Sequence, residues 1–407
     1  MRKALKVSAV LVVAALAVAA CGSSDNNSSS SSAAPAASDT TAAAAGGAAS
    51  TAAAAGGTGA GNAVGGGNCG STLDQIAAAA KQEGQVNLIA LPDTWANYKG
   101  ILDSFKSKYG IKAPVANPDA SSADELTAIK TLRGQPDMPD AVDVGPSFTS
   151  QMVTDGYADM YEPTTWSQIP DNLKDPAGKW VAAYYGVMSI ASNTTLVKNP
   201  PTTWADLKKP EYKGQVTLNG DPREAGAAFA AVMAASLANG GSFDDIMPGI
   251  QFFSDLKKAG NLQQVDVTPA LVLSGDVPIA LDWTYNFPGL QKQLQDAGFD
   301  MKVNVPTDGV YGGYYAQSVV TDSKHPCASR LWLEHLVGDD GALGYLQGGA
   351  IPARFKALSD EGKISDALKK NLPSADVIAK VTFPTQAQTD AAKKVLADNW
   401  TKMVGNG

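Results

Sequence analysis

The chain has 407 residues, 44% hydrophobic and 18% charged, with a formal net charge of −8. That length can build two domains or one large bilobed body, and so acidic a chain lacks the basic surface that nucleic-acid binding needs. Beyond Cys21 no apolar run is long enough to span a membrane.

In chain order, Arg2, Lys3 and Lys6 precede an apolar run over 7–20 that ends in Val18-Ala19-Ala20-Cys21. A basic start, a short apolar stretch and small residues before a cysteine form the pattern of a bacterial lipoprotein signal. Residues 1–20 are expected to be removed and Cys21 to carry the lipid that tethers the exported chain to the outer face of the cell membrane. Residues 21–70 are mostly Ser, Ala, Gly, Thr and Asn. Such a segment cannot bury enough apolar area to offset its ordering entropy, and it reads as a disordered stalk. Gly57, Gly59 and Gly61 imitate a nucleotide-binding loop, but no strand precedes them and no helix follows. The two remaining cysteines, Cys69 and Cys327, would face an oxidising compartment. They are expected to form a disulfide fastening the start of the globular body to a helix that opens near Pro326, the alternative being two free buried thiols.

The body alternates short strands with amphipathic helices. Helices are predicted over 71–82, 95–109 and 123–133, the second from the spacing of Tyr98, Ile101, Leu102 and Phe105 on one face. Strands are predicted over 85–91 and 140–144. An extended segment follows over 181–192, then a short helix over 203–207, a strand over 215–218 and an apolar helix over 226–237. Further helices are expected over 249–259, 327–336, 365–370 and 386–403, with a strand over 277–281. Such alternation implies parallel or mixed sheets with covered faces, an α/β architecture.

Several segments resemble landmarks of one family. Ser192-Asn193-Thr194-Thr195-Leu196-Val197-Lys198, followed by Pro200-Pro201-Thr202-Thr203-Trp204-Ala205-Asp206-Leu207, is similar to the hinge exit and Trp-bearing helix start of extracellular solute-binding proteins of ABC importers. Lys209-Pro210-Glu211-Tyr212-Lys213-Gly214 resembles the turn that follows. The stretch 319–336, with Lys324-His325-Pro326 opening a Trp/Leu-rich helix, resembles the return crossover, and Ile351-Pro352-Ala353-Arg354 resembles the turn after the family's next helix. The resemblance covers roughly 72–405. It implies a type II periplasmic-binding fold, near the polyamine-, ferric- and phosphonate-binding branches, with two α/β lobes joined by a hinge and closing on a ligand. By that analogy lobe 1 is 71–186 with 316–355, lobe 2 is 187–315 with 356–407, and the chain crosses near 184–193 and 314–320. The implied partners are a small-molecule solute and a membrane permease, with the receptor acting as a monomer and doing no chemistry on the solute. Neither a cofactor nor a resident metal is implied.

Ligands of open α/β sheets bind outside the carboxyl ends of strands. That rule selects the loops 92–95, 145–148, 221–226 and 282–286, and with them Thr94, Trp95 and Ser147. Asp221 with Pro222 reads as a helix cap, where Arg223 would reinforce binding of an anionic group. Asp282 beside Trp283 and Tyr285 reads instead as a cation site, built from a carboxylate and ring faces. Tyr184, Tyr314 and Tyr315 add aromatic surface near the two crossings. A charged organic solute is expected, with an amine slightly ahead of a phosphonate or carboxylate. The ferric branch implies an adjacent tyrosine pair beside Asp282, where only Tyr285 stands, and the pair Tyr314-Tyr315 falls instead at the hinge return. His325 and His335 lack metal-ligand spacing. An exported hydrolase would need a nucleophile elbow or a zinc motif, and neither is present. A lipid-anchored sensor of the same fold is the other alternative.

Overall fold

Several helices begin where the sequence offers caps. In the computed structural model, which describes residues 61–405, helix α1 (Leu73–Glu83) opens on a capping box between Thr72 and Gln75, and α3 (Ser122–Leu132) on one between Ser121 and Asp124. Each box satisfies two orphan N–H groups at once. Between them lie α2 (Tyr98–Tyr109) and the short parallel pair β1 (Leu88–Ile89) and β2 (Val115–Ala116). Strand β3 (Ala141–Val144) and helix α4 (Thr149–Thr154) complete the first pass through lobe 1.

Strand β4 (Val181–Asn193) carries the chain into lobe 2. There follow β5 (Val216–Leu218), α5 (Gly226–Ala238), α6 (Met247–Ala259), α7 (Pro269–Ser274), β6 (Ile279–Trp283), α8 (Gln291–Asp296) and β7 (Met301–Asn304). Strand β8 (Gly312–Val319) returns to lobe 1, followed by α9 (Pro326–Val337), α10 (Asp339–Gln347), β9 (Ile351–Pro352), α11 (Phe355–Asp360), α12 (Asp366–Lys369), α13 (Ala375–Ile378) and α14 (Gln386–Met403).

The main sheet runs β3-β8-β4-β6-β5, and β4 belongs to both lobes. Its first half, Val181 to Val187, pairs antiparallel with β8, and its second half, from Met188 on, pairs with β6 and β7. One continuous strand is thus the hinge element. Strand β8 pairs only with lobe 1 partners, so the return crossing lies before Gly312, earlier than the expected 314–320. Helix α5 is apolar all round and almost wholly buried, the pattern of a helix covered on every side.

Two boundaries differ from expectation. Residues 61–70 are not stalk: Val64 bridges to Glu162, the Ala63 N–H donates to the Ser71 carbonyl, and Cys69 is buried in a disulfide with Cys327. The cystine supplies the anchor that a Gly-rich segment could not supply by packing. Residues 356–372 also leave lobe 2, because Leu358, Ile364, Leu368 and Leu372 pack against Ala342 and Leu346 of α10. The signal, Cys21 and the stalk up to residue 60 lie outside the described residues. Among those described, no helix is long and apolar enough to cross a membrane.

Candidate functional site in the interlobe cleft

Strand ends from both lobes converge on one cavity of about 650 Å³. Lobe 1 contributes Trp95, the segment from Asp119 to Ser122, Glu125 and Asp143; lobe 2 contributes the stretches after β5 and after α6. The volume falls in the range of roughly 300–1,000 Å³ usual for small-molecule sites. Seven carboxylates line it against two basic side chains, Arg223 and Lys257. Arg223 is already spent, since its guanidinium bonds the Asp221 carboxylate and the Thr401 hydroxyl. The cavity therefore favours positive charge.

Asp282, near the end of β6, is buried and lies one hydrogen bond behind the lining. The lining residue Asn219 donates to its Oδ2 at 3.0 Å, Asn286 donates to the same oxygen at 2.7 Å, and the Trp283 N–H donates to Oδ1 at 2.8 Å. All its partners are neutral. Burial pushes its carboxyl up to about 7 although the three donors pull the other way. The Asn286 Oδ1 and Thr284 Oγ1 beside it are buried with no partner and are available to accept a hydrogen bond from a bound group.

Asp143, on β3, is the matching group from lobe 1. The hydroxyls of Tyr98 and Tyr184 donate to its Oδ2 at 2.6 and 3.0 Å, and Gln317 donates to Oδ1. Its own N–H donates to Glu125 Oε2 at 2.8 Å. Burial raises Asp143 to about 7 and holds Glu125 well above the usual carboxylate range, the neighbouring Asp143 charge adding to the latter. No basic side chain contacts either group.

Aromatic rings fill the space between the two aspartates. Tyr184 meets Tyr285 edge-on at 5.2 Å and stacks parallel to Tyr315 at 6.1 Å, while Trp283 stacks with Tyr285 at 6.3 Å. Burial is the main cause of the raised Tyr315 pKa, and the charges of Asp282, Asp143 and Glu125 add to it, so that ring stands among all three carboxyls. Glycines make the room. Gly186 and Gly313 face each other across β4 and β8, and the rings of Tyr285 and Trp283 lie where their Cβ atoms would be.

Of the residues expected at the site, Trp95, Arg223 and Tyr315 line the cavity, and Tyr184, Asp282, Trp283 and Tyr285 form the cluster around it. Thr94 and Ser147 lie at the lobe-to-lobe contact, each with its hydroxyl buried and unpartnered. Tyr314 does not join them. Alternation along β8 turns it to the other face, stacked on Trp180 at 5.4 Å, so Tyr314 and Tyr315 cannot grip one ion together. Asp221 does not cap α5, which starts at Gly226 with no side-chain cap; Asp221 closes a turn on Arg223 instead. Asp143, Glu125, Asn219 and Gln317 escaped the sequence reading, and Asn286 entered it only as the end of the loop 282–286. The available signal was an aspartate inside the apolar run Ala141-Val142-Asp143-Val144. Among the described residues no three His, Cys, Asp or Glu side chains stand close enough together to hold a metal ion.

Comparison with known proteins places this geometry. Residues 137–381, more than half of the chain, match the model of a family described as bacterial extracellular solute-binding protein. A spermidine/putrescine-binding periplasmic protein of Haemophilus influenzae is 32% identical over 142 residues, which span 32% of this chain and 39% of that protein. The fold matches the periplasmic binding protein AfuA of Actinobacillus pleuropneumoniae, solved with fructose-6-phosphate, with a TM-score of 0.63 at 17% identity over 79% of this chain and 98% of that one. Iron-bound HitA of Pseudomonas aeruginosa matches with a TM-score of 0.60 at 19% identity over 79% and 99% of the two chains.

Proposed function

Because the chain belongs to the bacterial extracellular solute-binding proteins, we propose that it captures a small organic cation, an amine or polyamine, between its lobes. The observation that carries this reading is the pair of buried aspartates, Asp143 and Asp282, one from each lobe, set among Tyr184, Tyr285, Tyr315 and Trp283 without a basic partner. An ammonium or alkylammonium group satisfies both features at once, by charge-assisted hydrogen bonds to carboxylates and by contact with ring faces. The polyamine-binding relative from Haemophilus influenzae supports the same class. A phosphorylated solute or other anion is disfavoured, since the charged side chains of the cavity are mostly carboxylates and Arg223 is tied to Asp221.

In this reading the receptor is exported and lipid-anchored through Cys21, and it hands the solute to a membrane permease driven by a cytoplasmic ATPase. Closing the lobes draws its free energy from the difference in affinity between open and closed states. The test is equilibrium dialysis of putrescine and spermidine against the parent chain and Asp282→Ala. The parent is expected to bind and the variant to lose binding while the empty variant melts close to the parent. Equal affinity in the two proteins removes Asp282 from the site.

A further inference from the structure

The two aspartates differ from ordinary ion-pair partners in one respect: among the described residues no basic side chain bonds either carboxyl group. Every group packed on Asp143 is neutral or acidic. These are Tyr98 from α2, Glu125 from α3, Tyr184 from β4 and Gln317 from β8, with Tyr345 of α10 behind Tyr98. Asp282 faces Asn219 after β5, Asn286 and the Trp283 N–H on its own segment, and Ser189 of β4, whose hydroxyl donates to the Asp282 carbonyl. Of the cavity's two basic residues, Arg223 is paired with Asp221, and the Lys257 ammonium lies beside Gly405 at the far end of α6. An ionised carboxylate buried without a cation carries a desolvation cost that neutral donors only partly offset.

We propose that solute capture in this cleft is an exchange of cation for protons: the entering ammonium displaces the protons that Asp143 and Asp282 hold in the empty, closed site. The inference rests on the cation reading and deepens it. The balance is simple. Each carboxyl loses its proton to solvent, the carboxylate formed is neutralised by the solute's positive charge, and the net charge of the closed cleft changes little. The upward-shifted titration of both groups, to about 7, places the exchange within the range a bacterial surface meets. A solute with two ammonium groups exchanges for both protons, and a monoamine for one. Acidification would thereby drive bound solute out, with no other switch needed.

The experiment is titration calorimetry of the full chain with putrescine at pH 6 in phosphate and in imidazole, buffers of very different ionisation enthalpy. The expected result is a buffer-dependent heat equivalent to one to two protons released per diamine. With it, apparent affinity should stay nearly level between pH 8 and 7 and fall about tenfold per pH unit for each linked proton as pH drops further to 5. Asp143→Asn is expected to lower the release by about one proton. Undiminished release in that variant, with Glu125→Gln lowering it instead, overturns the assignment to Asp143. Putrescine binding with buffer-independent heat and pH-independent affinity overturns the exchange while leaving the cation reading intact. No amine binding at any pH overturns both.

Discussion

Gly145 and Gly226 meet backbone to backbone across the cleft: a Cβ on Gly145 would stand 2.9 Å from the Gly226 Cα. Gly145 precedes the turn Pro146–Phe148 of lobe 1, and Gly226 starts α5 of lobe 2. Two further contacts seal the same seam. The Ala123 N–H donates to the Glu224 carbonyl at 3.3 Å, and Gly289 sits against the Thr94 backbone. The structure is therefore the closed arrangement, and the Gly145–Gly226 contact exists because neither residue has a side chain.

Gly145→Ala is expected to act as a wedge. Its φ of −62° and ψ of 154° suit alanine, so the lobe itself tolerates the change and only closure is obstructed. Solute affinity should fall at least about tenfold, roughly 1.4 kcal/mol, while the melting temperature of the empty chain stays within a few degrees of the parent. Parental affinity would mean that the solute is held without this contact.

Lys393 is expected to help hold the lobes shut. From α14, which packs on α6, its ammonium lies 3.5 Å from the centroid of the Phe148 ring and donates to the Ser147 carbonyl at 2.9 Å. Ser150 and Thr149 bond Asp390 and Gln386 of the same helix. Burial lowers the Lys393 pKa to about 8. Lys393→Met keeps the apolar stem and removes the charge. A loss of about 1–2 kcal/mol from the closed state, about tenfold in affinity, follows from the lost hydrogen bond and ring contact, and solute titration measures it.

Stability should carry the signature of the two aspartates. Both hold their protons up to about 7 in the folded chain, against about 4 unfolded. Between those values the folded state binds more protons, so their stabilising contribution is full below about pH 4 and is lost as pH rises through 7. Asp282→Asn cannot ionise. Relative to the parent its melting temperature is expected to climb from pH 5 to pH 8, by a stability difference on the order of 2 kcal/mol. A flat difference by calorimetry would mean that Asp282 is ionised throughout.

The Cys69–Cys327 cystine spans a sequence separation of 258 residues, and in the chain-entropy model a loop of that size contributes about 5 kcal/mol. Cys327→Ser is expected to lower the denaturation midpoint markedly. Neither cysteine lines the cavity, so affinity measured below the new midpoint should match the parent.

Elements with a local code were legible in the chain. The spacing of Tyr98, Ile101, Leu102 and Phe105 announces α2, and the extended run over 181–192 announces β4, whereas the boxes Thr72–Gln75 and Ser121–Asp124 that open α1 and α3 were not read from the sequence. The strand read over 85–91 was legible too: Leu88–Ile89 form the ladder, Gln85 bridges to Lys112, and the Val86 and Ala90 N–H groups donate to the Lys112 and Ala116 carbonyls. Asp282 and its aromatic neighbours stood together in sequence and could be found. Asp143 becomes a partner only through donors at positions 98, 184 and 317, a convergence that no local pattern encodes. Tyr314 failed for the opposite reason, since two residues adjacent in a strand face apart.

The most direct test of the central claim is a melting-temperature screen of the full chain against putrescine, spermidine, a phosphorylated sugar and ferric citrate. A ligand near 1,000 times its Kd adds about 4 kcal/mol, a shift of several degrees. The account predicts that shift with an amine and none with the phosphorylated sugar or the iron complex. A shift with the sugar phosphate or ferric citrate and none with either amine would contradict it.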